Sequence, residues 1–268
     1  MTILRQAAWA ILLIVFASAA MAGWISPASY ETQFRDNPSA GASRQFPLGT
    51  DELGRDRLSR LLYGGRVSLL LAPAAAFLAI LLGTLAGGIA GYFGSLTDRI
   101  VMAAADLFLS LPWLFLLLMV RAMLPLNASP WTSALITFLL LGGLGWAAPA
   151  RVIRAAVRDL RDADFLLQAR AQGCSSARLL LVHLLPNLRP VLSAQFLLLI
   201  PSFILSEASL GLLGLGVSEP LPSWGNLLRG LENYHAVRVN PTLAAPALLL
   251  IVVTVCFQIA LSREAITQ

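Results

Sequence analysis

Apolar residues gather in six long runs, 7–25, 67–93, 100–120, 131–149, 191–215 and 242–261, separated by polar segments. A helix needs roughly 20 apolar residues to cross the hydrocarbon core of a bilayer, and each run is close to that length or beyond it. Four runs carry no charge; the third holds Asp106 and the fifth Glu207. Backbone groups in hydrocarbon must find partners within their own segment, so such runs are stable as helices, and their Leu, Ala and Gly content suits close packing in lipid. The pattern predicts an all-α integral membrane protein with six transmembrane helices. Arg5 ahead of an apolar stretch ending in small Ala20 and Ala22 resembles a cleavable secretory signal, but the length of the first run favours a retained helix.

Two polar excursions interrupt the runs. Residues 26–66 carry the breakers Pro27, Pro38 and Pro47 and mixed charge. The second half, 53–66, alternates leucines with Arg55, Arg57, Arg60 and Arg66, as an amphipathic helix lying in the interface would. The expected division is therefore residues 1–66, a first transmembrane helix with a polar segment outside the membrane that carries the amphipathic helix, and residues 67–268, a core of five transmembrane helices with the loop 150–190.

The other excursion, 150–190, carries seven arginines. Arg151, Arg154, Arg158 and Arg161 recur at three- and four-residue spacing, which places them on one helical face, positioned for lipid headgroups or a protein partner. A second helical pattern follows over 164–172, ended by Gly173 as a left-handed C-cap, and Ser175 or Ser176 caps a further helix reaching Pro186 and Asn187. Connections within bundles usually need only about 2–8 residues, so a helical hairpin of this length reads as a docking element. His183 is expected to satisfy a cap there.

Composition narrows the chemistry. Of 268 residues 57% are hydrophobic and 12% charged, with a mean hydropathy of +0.76, which excludes an ordinary solvated enzyme. All 19 basic residues are arginines. Without lysine there is no phosphate-binding loop of the usual kind and no lysine Schiff base, so the chain is not expected to hydrolyse a nucleotide itself. Arginines set between apolar runs favour anionic lipid over nucleic acid as partner. Cys174 and Cys256 lie far apart, and with only His183 and His235 no metal site is encoded. Arginine counts lean toward cytoplasmic N- and C-termini.

Several motifs resemble a known family. Asp164-Phe-Leu-Leu-Gln-Ala-Arg-Ala-Gln-Gly173 followed by His183-Leu-Leu-Pro-Asn187 resembles the EAA loop of ABC importer permeases. Pro47-Leu-Gly-Thr-Asp-Glu-Leu-Gly-Arg-Asp56, Ser59-Arg-Leu-Leu-Tyr-Gly-Gly-Arg-Val-Ser68, Gly91-Tyr-Phe-Gly94, Leu111-Pro112, Glu207-Ala-Ser-Leu-Gly-Leu-Leu-Gly-Leu-Gly216 and Pro222-Ser-Trp-Gly-Asn226 are similar to the second permease of dipeptide, oligopeptide and nickel importers. The resemblance runs in order over 46–231. Two departures stand out: the family's Glu-Ala-Ala falls on Leu167, Gln168 and Ala169, so its acid is missing, and the chain ends in Ser262-Arg-Glu-Ala-Ile-Thr-Gln268 instead of the usual continuation.

The resemblance implies a type I ABC importer permease fold in the bacterial inner membrane, forming half of a channel for di- or oligopeptides, with nickel or a metallophore as the alternative cargo. It implies a homologous permease as heterodimer partner, two ATPase subunits that bind ATP and Mg, a periplasmic or lipid-anchored binding protein, and no cofactor in this chain. Coupling to the ATPase would fall to Asp164, Phe165, Leu167, Gln168, Ala169, Arg170 and Gly173. Glu207, Asp106 and Trp224 are the channel or gate candidates. Glu207 is equally readable as a structural partner, Asp106 as a link to the Arg151 face, and Trp224 as an interfacial anchor or part of a re-entrant 211–224 segment. A secondary transporter would want paired inverted halves and an intramembrane enzyme a buried catalytic pair; six runs without internal symmetry and without a histidine offer neither.

Overall fold

A computed structural model describes residues 2–123 and 129–261. The chain builds helices α1 (Thr2–Ala20), α2 (Ala22–Ile25), α3 (Arg57–Phe93), α4 (Ser95–Ser110), α5 (Trp113–Ala122), α6 (Pro130–Leu144), α7 (Ala147–Arg161) and α8 (Asp164–Ala171). They are followed by α9 (Ser176–Arg178), α10 (Leu185–Asn187), α11 (Arg189–Leu212), α12 (Trp224–Leu228), α13 (Tyr234–Val239) and α14 (Ala245–Leu261). Among the described residues there is no strand beyond two isolated bridges, Gln33 with Arg55 and Thr50 with Asp56. The divergent end 262–268 lies outside the described residues.

Among the described residues five helical stretches are long and apolar enough to span a membrane, and a sixth arises if α4 and α5 form one broken span. That break, an 87° bend, corrects the single helix expected over 100–120. Its cause is Pro112, which lacks an N–H for the ladder and forces the preceding Leu111 into extended backbone (φ −82°, ψ 135°).

A second correction concerns 53–66. No separate interfacial helix forms; Asp56 caps α3, accepting from the Ser59 N–H at 2.8 Å and the Ser59 hydroxyl at 2.6 Å, and α3 then runs unbroken through residue 66. Arg60 turns inward and Arg55, just ahead of α3, joins it, Arg57 is half-buried, and Arg66 stays exposed. Arg60 and Arg55 hold Glu219 at 2.7 and 2.8 Å, and Arg55 also holds Asp51 at 2.7 Å.

α3 is the central strut, packed on α7, α6, α11, α1 and α4. At positions 83, 87 and 91 it presents glycines to α7, close enough that a Cβ on Gly87 would stand 2.3 Å from the Ala150 carbonyl oxygen. One end of the bundle gathers the start of α3, the end of α11 and the start of α14, tied by Thr242 donating to the Leu48 carbonyl at 2.8 Å. The opposite end gathers the ends of α3 and α7 with α8.

The arginine face of α7 meets α4 rather than lipid alone. Arg154 is paired with Asp98, Arg158 approaches Asp98 at 3.9 Å, and Arg151 reaches Asp106 at 3.2 Å. Asp106 is thus a surface link to the Arg151 face. The large exposed side chains around the bundle, among them Phe77, Leu81, Leu85, Leu107, Phe115 and Leu139, suit a lipid or subunit-facing exterior.

Candidate functional site

The hairpin expected after α7 is present and packs back against the bundle. α8 begins two residues beyond α7, with Asp164 in its first turn where a carboxylate complements the helix dipole. Leu166 and Ala169 point inward and join Tyr92, Ile153, Val157 and Leu184 in a small apolar cluster separate from the main core. Arg170 lies over the Tyr92 ring at 5.3 Å from its centroid, tying the hairpin to the end of α3. Phe165, Leu167 and Gln168 remain exposed on the outward side.

Gly173 closes α8 as a Schellman cap. Its N–H donates to the Arg170 carbonyl at 2.9 Å and the Cys174 N–H to the Ala169 carbonyl at 3.2 Å, with Gly173 at φ +79°. Ser175 then caps the next helix by accepting from the Arg178 N–H. That helix passes through a π-helical stretch, Leu179–Leu184, before α10. The cap expected of the His183 side chain is not what forms: the Asn187 side-chain amide donates to the His183 backbone carbonyl at 2.6 Å.

The other residues singled out from sequence meet at the opposite end, in a buried junction. Glu207 on α11 has no exposed surface, and its Oε2 accepts from the Ser68 hydroxyl of α3 at 3.0 Å. The same Ser68 oxygen accepts from the Trp224 backbone N–H at 3.2 Å, and the indole Nε1–H donates to the Leu61 carbonyl at 3.1 Å. Glu207 and Trp224 thus tie α3, α11 and α12 together, and both side chains are buried within this chain. The 211–224 segment folds back so that α12 packs on α11, α3 and α14.

Substituting Glu207 tests this tie. Glu207→Leu leaves the buried Ser68 hydroxyl without its acceptor, a loss of about 1–3 kcal/mol. The expected result is a lower melting temperature of the purified complex, whereas Glu207→Gln, which keeps an acceptor, stays near wild type in both melting and transport.

Arg121 was not visible as a site residue, because it follows an apolar run and reads as a flanking charge. It is buried, with Nε donating to the Leu215 carbonyl at 3.1 Å and Nη2 to the Ser133 hydroxyl at 2.7 Å. Ser218 donates to the same Ser133 oxygen at 3.0 Å, so α5, α6 and the turn after α11 are joined through one guanidinium. A charge bordering an apolar run, with polar turn carbonyls to serve, was its only sequence signal. Among the described residues no three His, Cys, Asp or Glu side chains are grouped to hold a metal.

The chain is similar to known proteins. Residues 58–263 match the family model described as "Binding-protein-dependent transport system inner membrane component". The chain is 32% identical over 248 residues to the oligopeptide transport system permease protein OppC of Haemophilus influenzae, covering 91% of this chain and 76% of that one. It is 37% identical over 229 residues to the di/tripeptide transport system permease protein DppC of Pseudomonas aeruginosa, covering 83% and 73%. In three dimensions it resembles a chain of the MetNI methionine ABC transporter in an inward-facing conformation, with a TM-score of 0.54 at 20% identity over 78% of this chain and 97% of that chain.

Proposed function

The chain belongs to the family of binding-protein-dependent transport system inner membrane components, and we propose from that membership that it is the permease subunit of an ABC importer for short peptides. It contributes half of the channel across the bacterial inner membrane, paired with a homologous permease, and both termini face the cytoplasm. The peptide reading rests on relatives named for oligopeptide and di/tripeptide transport. Nickel or a metallophore is the less favoured cargo, as His183 and His235 are the only imidazoles the chain offers a nickel ion.

The observation that carries the mechanism is α8. Its inward residues Leu166 and Ala169 lock it to α7 and to Tyr92, while Phe165 and Leu167 stand clear of the bundle. Such an element transmits displacement only if it moves as one body, and the Gly173 cap with the Arg170–Tyr92 contact provides that stiffness.

In the proposed cycle α8 sits in a cleft on one of two ATPase subunits, which bind ATP and Mg and carry out hydrolysis. Closure of the ATPases moves α8 and its counterpart together, and the bundles follow because α8 is fastened to the ends of α3 and α7. Nucleotide shifts the inward–outward equilibrium through contacts that differ between the two states, and hydrolysis restores the first state. With Leu167 at the position of the family's glutamate, this contact is made by apolar area and shape instead of charge. A separate binding protein delivers peptide at the outer face.

Affinity purification of the tagged chain is expected to recover two ATPase polypeptides and a second permease. Deleting the chain is expected to abolish ATP-dependent peptide uptake in cells that retain the binding protein. Undiminished peptide uptake after deletion would refute the reading.

A further inference from the structure

α4 is bounded by a break at each end. At its start Gly94 (φ +64°) and Ser95 (φ +50°) turn the chain out of α3 through the left-handed region, a conformation that strains the serine. At its far end Pro112 sets the 87° bend into α5. Breaks of this kind at element ends are where a chain swings, so α4 moves with whatever its sides are fastened to. It packs on α3 and α7, and its charged and aromatic ties go to α7. Asp98, in the first turn of α4, accepts from both Nε and Nη2 of Arg154, a fork that fixes orientation as well as distance. Arg158 stands 3.9 Å from the same carboxylate. Further along, Asp106 meets Arg151 at 3.2 Å, and Phe108 sits edge-on to Trp146, just ahead of α7, at 5.5 Å between ring centroids. Residue numbers rise on α4 as they fall on α7, so the two helices are laced antiparallel through these ties. α7 leads after two residues into α8, and beyond the Pro112 elbow the Trp113 indole donates to the Ser206 hydroxyl of α11 at 2.9 Å.

We propose that α4 is yoked to α7 and carries the displacement of α8 to the Pro112 elbow, and through Trp113 to α11, with Asp98 as the positioning residue of this relay. The inference rests on the ABC-importer reading and deepens it, taking the motion from the lever into the membrane-spanning bundle. Asp98 is the principal tie because its side chain is 15% exposed and is held by two arginines toward the α8 end of α7. Asp106 and Arg151 are 57% and 55% exposed, where an ion pair contributes little. Removing the Asp98 charge leaves Arg154 and Arg158 side by side without their shared acceptor, and α4 is released from α7 on the side nearest the lever. A relay needs an element with two arrangements that both sites bias; here α4 and α7 are displaced together and the bend at Pro112 takes up the change.

The test uses the complete transporter in lipid vesicles with its binding protein, and spin labels at Ala103→Cys on α4 and Ala155→Cys on α7, both exposed positions, with Cys174 and Cys256 replaced by alanine. Pulsed electron resonance is expected to give one narrow α4–α7 distance, the same without nucleotide and with Mg-ATP held by ATPases that cannot hydrolyse it. In Asp98→Asn the distance is expected to differ between the two states. With active ATPases, peptide uptake per ATP hydrolysed is expected to fall about ten-fold in that variant, the size of a typical coupling between sites, at a little-changed melting temperature. Asp98→Glu keeps the charge and restores both readouts. A wild-type α4–α7 distance that changes with nucleotide overturns the proposal and needs no Asp98 variant. Uptake per ATP at the wild-type level in Asp98→Asn overturns it. So does a loss of uptake and hydrolysis together, in proportion to the yield of folded complex, which assigns the ion pair to folding alone. Arg154→Gln removes the fork from the other side and decides the matter if Asp98→Asn does not assemble. The import reading fails separately, by absence of ATP-driven peptide uptake in the wild-type complex, a result that leaves the distance measurement standing.

Discussion

Replacing Gly173 by proline is expected to abolish coupled transport while leaving the bundle intact. Gly173 adopts φ +79°, whereas proline is locked near −65° and cannot donate the bond now made to the Arg170 carbonyl. Proline also disfavours the helical conformation of Gln172, which holds φ −77° and ψ 3° at the end of α8. The Schellman cap is lost and the angle between α8 and the following helix is no longer set. Side-chain crowding plays no part, as a Cβ on Gly173 meets nothing within 4 Å. Gly173→Ala therefore isolates the conformational strain, about 1–2 kcal/mol for a non-glycine residue in the left-handed region. The ordered expectation is wild type above alanine above proline in ATP-driven uptake, with ATPase activity of the proline variant persisting but no longer tied to peptide. Uptake at wild-type level in Gly173→Pro would remove α8 as the lever.

Gly87→Leu is expected to prevent stable folding. Here the obstruction is backbone: a Cβ would sit 2.3 Å from the Ala150 carbonyl oxygen and 3.0 Å from its carbon. Neither can rotate away, so α3 and α7 must separate along the most extensive helix contact among the described residues. Overpacking typically costs about 1–3 kcal/mol where side chains can adjust, and a rigid helix face puts this site at or above that range. In a chain of this size the consequence is a fall in melting temperature of roughly 10 °C or failure to assemble. Gly88→Leu is the control, since a Cβ there meets nothing within 4 Å. Equal thermal stability of the two variants would show that the α3–α7 contact tolerates separation.

The two substitutions act at opposite levels of legibility. Gly173 was readable because a helix C-cap is a local device: a glycine after a helical pattern and a serine two residues on are enough to place it. Gly87 sits among glycines whose general suitability for lipid packing was readable, but not which of Gly87 and Gly88 faces a neighbour. That choice depends on the rotation of α3 relative to α7. The break at Pro112 was within reach of local rules, and the unbroken hydrophobicity of its run concealed it.

From sequence alone came the six apolar runs, the helical hairpin after the fourth of them, the absence of lysine and the motifs that place the chain in its family. These depend on solvation and backbone preference over some twenty residues, and neighbours in sequence suffice to express them. What only the tertiary structure decided is where the charges go. Arg60 finds Glu219 across 159 residues, Ser68 finds Glu207 across 139, and Arg154 finds Asp98 across 56. A charge beside an apolar run has the same local signature whether it meets lipid, water or a distant carboxylate. The high cost of leaving it unpaired guarantees a partner, but helix packing alone selects which one. For that reason Arg55 and Arg60 read as membrane-surface residues and turned out to clasp Glu219, Glu207 read equally as gate or structural partner and lies buried against Ser68, and Arg121 was not singled out.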